Sequence, residues 1–193
     1  MRHVALVLVA ACSLGGKPPH YDYFVLTSTR AIGAQPVAVN QPVLAVGQVT
    51  IPGYLDREPI ATRVDDHRLI YSARERWAEP VDQAFERTLR EDLAATLAPA
   101  GITVQPHAGA PTYDLDVEVL RFERRGADRV ELWARWMLHA DARRIDSGET
   151  RIIVPMSSLD GDAMAAALSQ AIARMATEVA ERLTHKNRAV SAS

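Results

Sequence analysis

Apolar and polar residues alternate with a period of two through the middle of this chain. On either side they recur every three to four residues. Val130, Leu132, Ala134, Trp136 and Leu138 fall on one side of a strand from Val130 to Ala140, with Glu131, Trp133, Arg135 and Met137 on the other. Tyr113 to Arg124 alternates as far as Val119, and Gly126-Ala127-Asp128 joins the two stretches as a hairpin. A further strand, Thr150 to Met156, follows a turn at Ser147-Gly148. Two helices flank this block. In the first, Val81, Phe85, Leu89, Leu93 and Leu97 form one stripe, with Pro80 at the first helical position and Pro99 and Gly101 at its end. The second starts near Ser158 or Asp160 and aligns Met164, Leu168, Ile172, Met175, Val179 and Leu183, with Lys186 at its C-terminal end. Shorter strands are expected at Tyr23 to Leu26, Val43 to Ile51, Arg68 to Ser72 and Ile102 to Val104.

The order is three strands, helix, four strands, helix. That predicts an α+β domain, a largely antiparallel sheet with two main helices packed on one face. Of 193 residues, 48% are hydrophobic, enough for one core, placed here in a single domain over 21–186. The tail 187–193 is small and polar and is expected to be disordered. A net charge of -2 gives no field that favours nucleic acid. Arg121, Arg124, Arg125 and Arg129 cluster, but Glu123 and Asp128 interrupt them, which reads as a solvated hairpin tip.

The N-terminus changes the picture. Arg2 precedes an apolar run from Val4 to Ala11, which leads straight into Cys12, the only cysteine. A charged start, a short apolar stretch and small residues before a cut site make a secretory signal. Val9-Ala10-Ala11-Cys12 resembles the lipobox of bacterial prolipoproteins. The resemblance implies a signal peptide over 1–11, diacylglycerol on the Cys12 thiol, cleavage before it and acylation of the new amino terminus. Residues 12–20 then read as a lipidated tether. The alternative is a buried N-terminal strand containing Cys12. The run is shorter than the about 20 residues that span a bilayer.

Further local sequences carry a second resemblance. Tyr21 to Leu26, Val46 to Pro52, Tyr54-Leu55-Asp56-Arg57 and Trp77-Ala78-Glu79-Pro80, followed by Leu89 through Leu97, resemble the ABC-type transport auxiliary lipoproteins. The match covers roughly Tyr21 to Leu183. It implies a non-enzymatic periplasmic domain tethered to the outer membrane. The implied partners are a mammalian-cell-entry-type substrate-binding protein, an ABC permease and an ATPase, in a system that moves lipids between the envelope membranes. No cofactor is implied. A lipid-binding carrier and an assembly lipoprotein of another outer-membrane machine are the alternatives. A periplasmic hydrolase ranks last, because no motif supports it.

Three motifs bear on contacts and chemistry. Tyr54, Leu55 and Arg57 form either a contact surface for a partner or a self-locking loop in which Asp56 caps amides and Arg57 pairs with Asp56 or Glu58. Trp77-Ala78-Glu79-Pro80 reads as a helix start, with Trp77 stapled onto Val81. Asp114, Asp116 and Glu118 share one strand face, and pairing with Arg135 is expected there in preference to a metal or acid–base role. The six histidines have no metal-ligand spacing. There is no nucleophile elbow and no phosphate loop.

Strict alternation also places Leu120 and Phe122 on the face opposite Leu115, Val117 and Val119, beside Trp133 and Met137. Two helices cannot cover both faces of the sheet. Leu120, Phe122, Trp133 and Met137 are therefore expected as an exposed apolar patch that buries against a transport partner or a second copy. The alternatives are a bulge near Leu120 that returns these residues to the core, and coverage by the loop from Ser28 to Gln41.

Overall fold

The computed structural model describes residues 19–30, 41–106 and 111–191. Cys12, the lipobox, the tether before Pro19 and most of the loop after Ser28 lie outside the described residues. Eight strands and two long helices follow one another as β1 (Asp22–Phe24), β2 (Val43–Thr50), β3 (Pro59–Arg63), β4 (Leu69–Trp77), α1 (Val81–Leu97), β5 (Thr103–Pro106), β6 (Tyr113–Arg125), β7 (Arg129–Ala140), β8 (Arg143–Pro155) and α2 (Gly161–Ser191). The fold is α+β, as the order of elements predicts.

The long antiparallel ladders β6–β7 and β7–β8 form the body of the sheet. Beyond β6 the sheet forks. The first half of β6 pairs in parallel with β2, which continues to β5. The last residues of β6 pair in parallel with β3, which continues antiparallel to β4 and then to the short edge strand β1. Both helices pack on one face. Val130, Leu132, Ala134, Trp136 and Leu138 of β7 are buried there, as are Leu115, Val117 and Val119 of β6. The complete apolar stripes of α1 and α2 meet them.

Several boundaries differ from the sequence reading. Pro80 is the N-cap residue, and Ala84 N–H donates to its carbonyl at 2.9 Å. Beyond the first helix, Gly101 takes φ +67°, a left-handed conformation that glycine adopts at no steric cost. The second helix runs through Ser191, past Lys186, and Asn187 Oδ1 accepts a bond from the Tyr113 hydroxyl at 2.8 Å. β3, beginning at Pro59, was not expected; a proline fits only the first residue of such a strand.

The largest change is in β8, which starts seven residues before Thr150. Its turn is Asp141-Ala142, with φ of +50° and +59°. Two left-handed residues suit the twist of a two-residue hairpin. Ser147-Gly148 therefore lies inside the strand, where Gly148 faces Trp136. A Cβ at Gly148 would lie 2.4 Å from Trp136 Cζ2. Trp136 is buried, and its indole N–H donates to Thr150 Oγ1 at 3.1 Å, which in turn donates to Glu178 Oε2 of α2 at 2.8 Å. Gly148→Ala should push the indole off this chain of bonds and cost about 1–3 kcal/mol, the usual range for overpacking. Thermal unfolding checks it; an unchanged melting temperature would contradict it.

Candidate docking face

Among the described residues, no helix or strand lies over the face of β6–β7–β8 away from the helices. Its side chains stand in cross-strand rows. Glu118, Arg135 and Glu149 are in register, as are Arg121, Trp133 and Arg151 in the next row and Glu123, Glu131 and Ile153 in the third.

This pattern depends on one extra residue. Val119 pairs with Ala134 and Arg121 with Trp133, so Leu120 is bulged out of the ladder. A bulge shifts the two-residue alternation by one position. Before it, Asp114, Asp116 and Glu118 face outward. After it, Arg121, Glu123 and Arg125 do. Phe122 turns inward and is 2% exposed. It stacks on Trp77 at 6.4 Å between ring centroids and meets the edge of Phe85 at 5.3 Å. The expected outward patch is corrected accordingly. Phe122 is core, Leu120 is half-buried in the bulge, Trp133 is half-buried on the outer face, and Met137 is exposed there at 40%. The surface is a polar lattice with single apolar residues in it.

The loop after β2 folds onto the same place. Leu55 is buried in the core at 4% exposure, which removes it from the expected contact surface. Tyr54 reaches the bulge. Its hydroxyl donates to Glu123 Oε2 at 2.7 Å and lies 3.3 Å from the Leu120 carbonyl. Arg63 from β3 pairs with Glu123 and lies over the Tyr54 ring. The Tyr71 hydroxyl donates to the Tyr54 carbonyl at 3.0 Å, and the guanidinium of exposed Arg57 stands over the Tyr71 ring. Arg57 thus engages a ring, where pairing with Asp56 or Glu58 had been the alternative. Burial, then the bond to the Glu123 carboxylate, pushes the Tyr54 hydroxyl well above its usual range, which keeps it a neutral donor.

Glu131 and Glu123 are the residues that sequence reasoning missed. Glu131 is fully buried, although among the described residues no helix or strand lies over its face. Arginines close over it: Arg151 Nε at 2.7 Å from Oε1, and Arg125 Nη1 at 2.7 Å and Arg121 Nη1 at 3.3 Å from Oε2. Burial pushes its carboxyl up, but the hydrogen bonds and charges of Arg125 and Arg151 outweigh this and hold it below the usual range. Arg121 and Arg151 both lie 5.3 Å from the Trp133 ring centroid. The Trp133 indole donates to Glu149 at 2.8 Å, and Arg135 holds the same carboxylate at 3.0 Å. The expected pairing of the acidic strand face with Arg135 forms through Glu118, at 3.7 Å, while Asp116 meets His139 at 3.5 Å. Arg124 points to Glu75 at 3.3 Å and Arg129 to Asp128 at 2.9 Å, so the basic cluster at the hairpin is split among three partners.

The other motif is structural at its ends and open between them. Trp77 closes β4 and is buried, its N–H donating to the Glu58 carbonyl at 2.8 Å. Glu79 pairs with Arg87 at 2.5 Å. Asp56, Arg57 and Glu58 face Trp77 to Val81 and Tyr23 across a cleft of about 340 Å³. The two sequence motifs are therefore neighbours in space. Among the described residues, no three His, Cys, Asp or Glu side chains gather as a metal site.

The lattice presents fixed hydrogen-bond donors and a ring platform, an arrangement suited to recognition. The family model for the ABC-type transport auxiliary lipoprotein component matches residues 24–180. The chain belongs to that family. The match begins at Phe24 in β1 and ends at Ala180 in α2, so it takes in the outer face and, apart from Tyr23, the cleft. Among curated relatives, an intermembrane transport lipoprotein PqiC of Escherichia coli K12 is 25% identical over 142 residues, covering 74% of each chain. The Shigella flexneri protein of that name matches equally. Two crystal structures share the fold. An uncharacterized protein superposes with a TM-score of 0.72 over 85% of this chain and 99% of its own, at 23% identity. A Xanthomonas campestris protein superposes with a TM-score of 0.66 over 89% of this chain and 100% of its own, also at 23% identity. The family and relatives make this an auxiliary lipoprotein of an intermembrane transport system.

Proposed function

We propose that this protein is a non-enzymatic lipoprotein anchored through Cys12 to the periplasmic face of the outer membrane. There it docks a mammalian-cell-entry-type substrate-binding protein served by an ABC permease and ATPase. The observation that carries the reading is the family match over residues 24–180, most of the folded domain. The lipobox supplies the anchor, and the face of β6–β7–β8 away from the helices supplies a rigid surface for the partner. Acyl chains add about 0.8 kcal/mol per buried methylene, so more than one chain makes a stable anchor. Energy for transport comes from the ATPase.

Cys12→Ser should release the chain from the outer-membrane fraction and leave an unprocessed or soluble form without acyl mass. Membrane fractionation with mass spectrometry of the product reads this. A variant that stays in the outer membrane with the mature mass unchanged would overturn the anchor.

A further inference from the structure

The outer face carries a local charge surplus that its own residues leave open. Arg121, Arg125 and Arg151 converge on one carboxylate, Glu131. The surrounding acids are engaged elsewhere: Glu123 by Arg63, Glu149 by Arg135 and Trp133, and Asp128 by Arg129. A guanidinium has five N–H donors in a planar fork. Each of these three arginines gives one to Glu131, and their side chains remain 22%, 36% and 50% exposed. Glu131 below and Trp133 between hold the forks in place before anything binds. Pre-ordered side chains lose little freedom on association. Arg and Trp are also the residue types that dominate binding energy at protein interfaces. Ile153, exposed at 44%, stands in the adjacent row, and Met137, exposed at 40%, lies two rows away on the other side.

We infer that the Arg121–Trp133–Arg151 row, with Arg125, is a docking site for an acidic segment of a partner protein, whose carboxylates take the outward N–H groups. This deepens the docking reading above and rests on it. The chemistry favours a protein over a membrane. The surplus is confined to one spot, while Asp114, Asp116 and Glu118 on the same face would repel an anionic lipid plane. Lipid recognition uses clusters of about 4–8 basic residues. Carboxylates on alternate residues of an extended segment match the spacing of the rows.

The test uses the full chain carrying Cys12→Ser and follows the Trp133 indole N–H by NMR, assigned with Trp133→Phe. The probe is an acetylated, amidated pentapeptide alternating glutamate and leucine, compared with its glutamine counterpart. The glutamate peptide should shift the signal saturably. The glutamine peptide should bind at least tenfold more weakly. Arg125→Gln with Arg151→Gln, which leaves Arg121 on Glu131, should weaken the glutamate peptide at least tenfold. Should that double variant fail to fold, Ile153→Glu places a competing carboxylate beside the row and should weaken binding by a similar factor without lowering the melting temperature. Equal binding of the two peptides, or binding unchanged in the variants, overturns the inference. So does a response to phosphatidylglycerol vesicles without one to the peptide, which assigns the site to a membrane. A Trp133 signal that moves with protein concentration, together with a dimer or larger species in sedimentation, assigns it to a second copy. The peptide is read on the isolated chain, so its failure leaves partner docking in cells to be judged separately.

Discussion

Replacing Phe122 by alanine should remove about 3–5 kcal/mol of stability, the range for truncating a buried phenylalanine. Phe122 sits where the sheet meets α1, between Trp77 and Phe85, and is 2% exposed. For a domain of this size the loss corresponds to roughly 6–20 °C in melting temperature. Leu120→Ala, one bulge position away and half-buried, should cost much less. Calorimetry of the two variants separates the observed fold from strict alternation along β6, under which both would be mild surface changes. Equal, small losses would show that the bulge at Leu120 does not exist.

Glu131→Gln should cost about 2 kcal/mol or more. Removing one partner from a buried ion pair leaves the others uncompensated, and the usual cost of 3–5 kcal/mol is reduced here because the arginines stay partly solvated. The change also has a pH signature. The carboxyl of Glu131 is held below its ordinary value of 4.5 in the folded state. A depressed folded value gives stability that is complete above the unfolded value and is lost as pH falls through the folded one. The wild-type protein should therefore lose stability from about pH 4.5 downward, and Glu131→Gln should flatten that slope. Denaturant unfolding at a series of pH values reads both effects. A variant with wild-type stability at pH 7 and an unchanged acid limb would mean that the arginines do not depend on Glu131.

Much of this architecture was legible along the chain, and the rest was hidden for physical reasons. β7 was plain because each inward residue from Val130 to Leu138 packs under the helices, and the stripes of α1 and α2 were plain for the same reason. β6 was readable only to Val119, because a bulge is set by pairing with β7 and leaves no local mark. That single residue decided whether Phe122 or Glu123 faced outward. The first half of β8 carries Arg143, Arg144, Asp146 and Glu149 with little apolar alternation. It is a strand because the Asp141-Ala142 turn feeds it into the ladder with β7. Gly148 looked like a turn residue and is a clearance for Trp136. The parallel pairings of β2 with β5 and β6 are non-local and have no sequence signature. Tyr54 and Trp133 were singled out in two separate groups. Tyr54 meets the bulge through Glu123, whose register partner is Glu131, and Glu131 shares its arginines with Trp133. Only the folded sheet places these four side chains on one surface.

The central claim is that a transport partner docks on the face of β6–β7–β8 away from the helices. A photo-crosslinking amino acid placed at Met137, exposed on that face, and in a separate strain at Arg174, exposed on α2, tests it most directly in living cells. Irradiation should trap a mammalian-cell-entry-type protein from Met137 and not from Arg174, as mass spectrometry of the adducts would show. Adducts to that protein from Arg174 alone, or none from Met137 in cells that make the partner, would contradict the account.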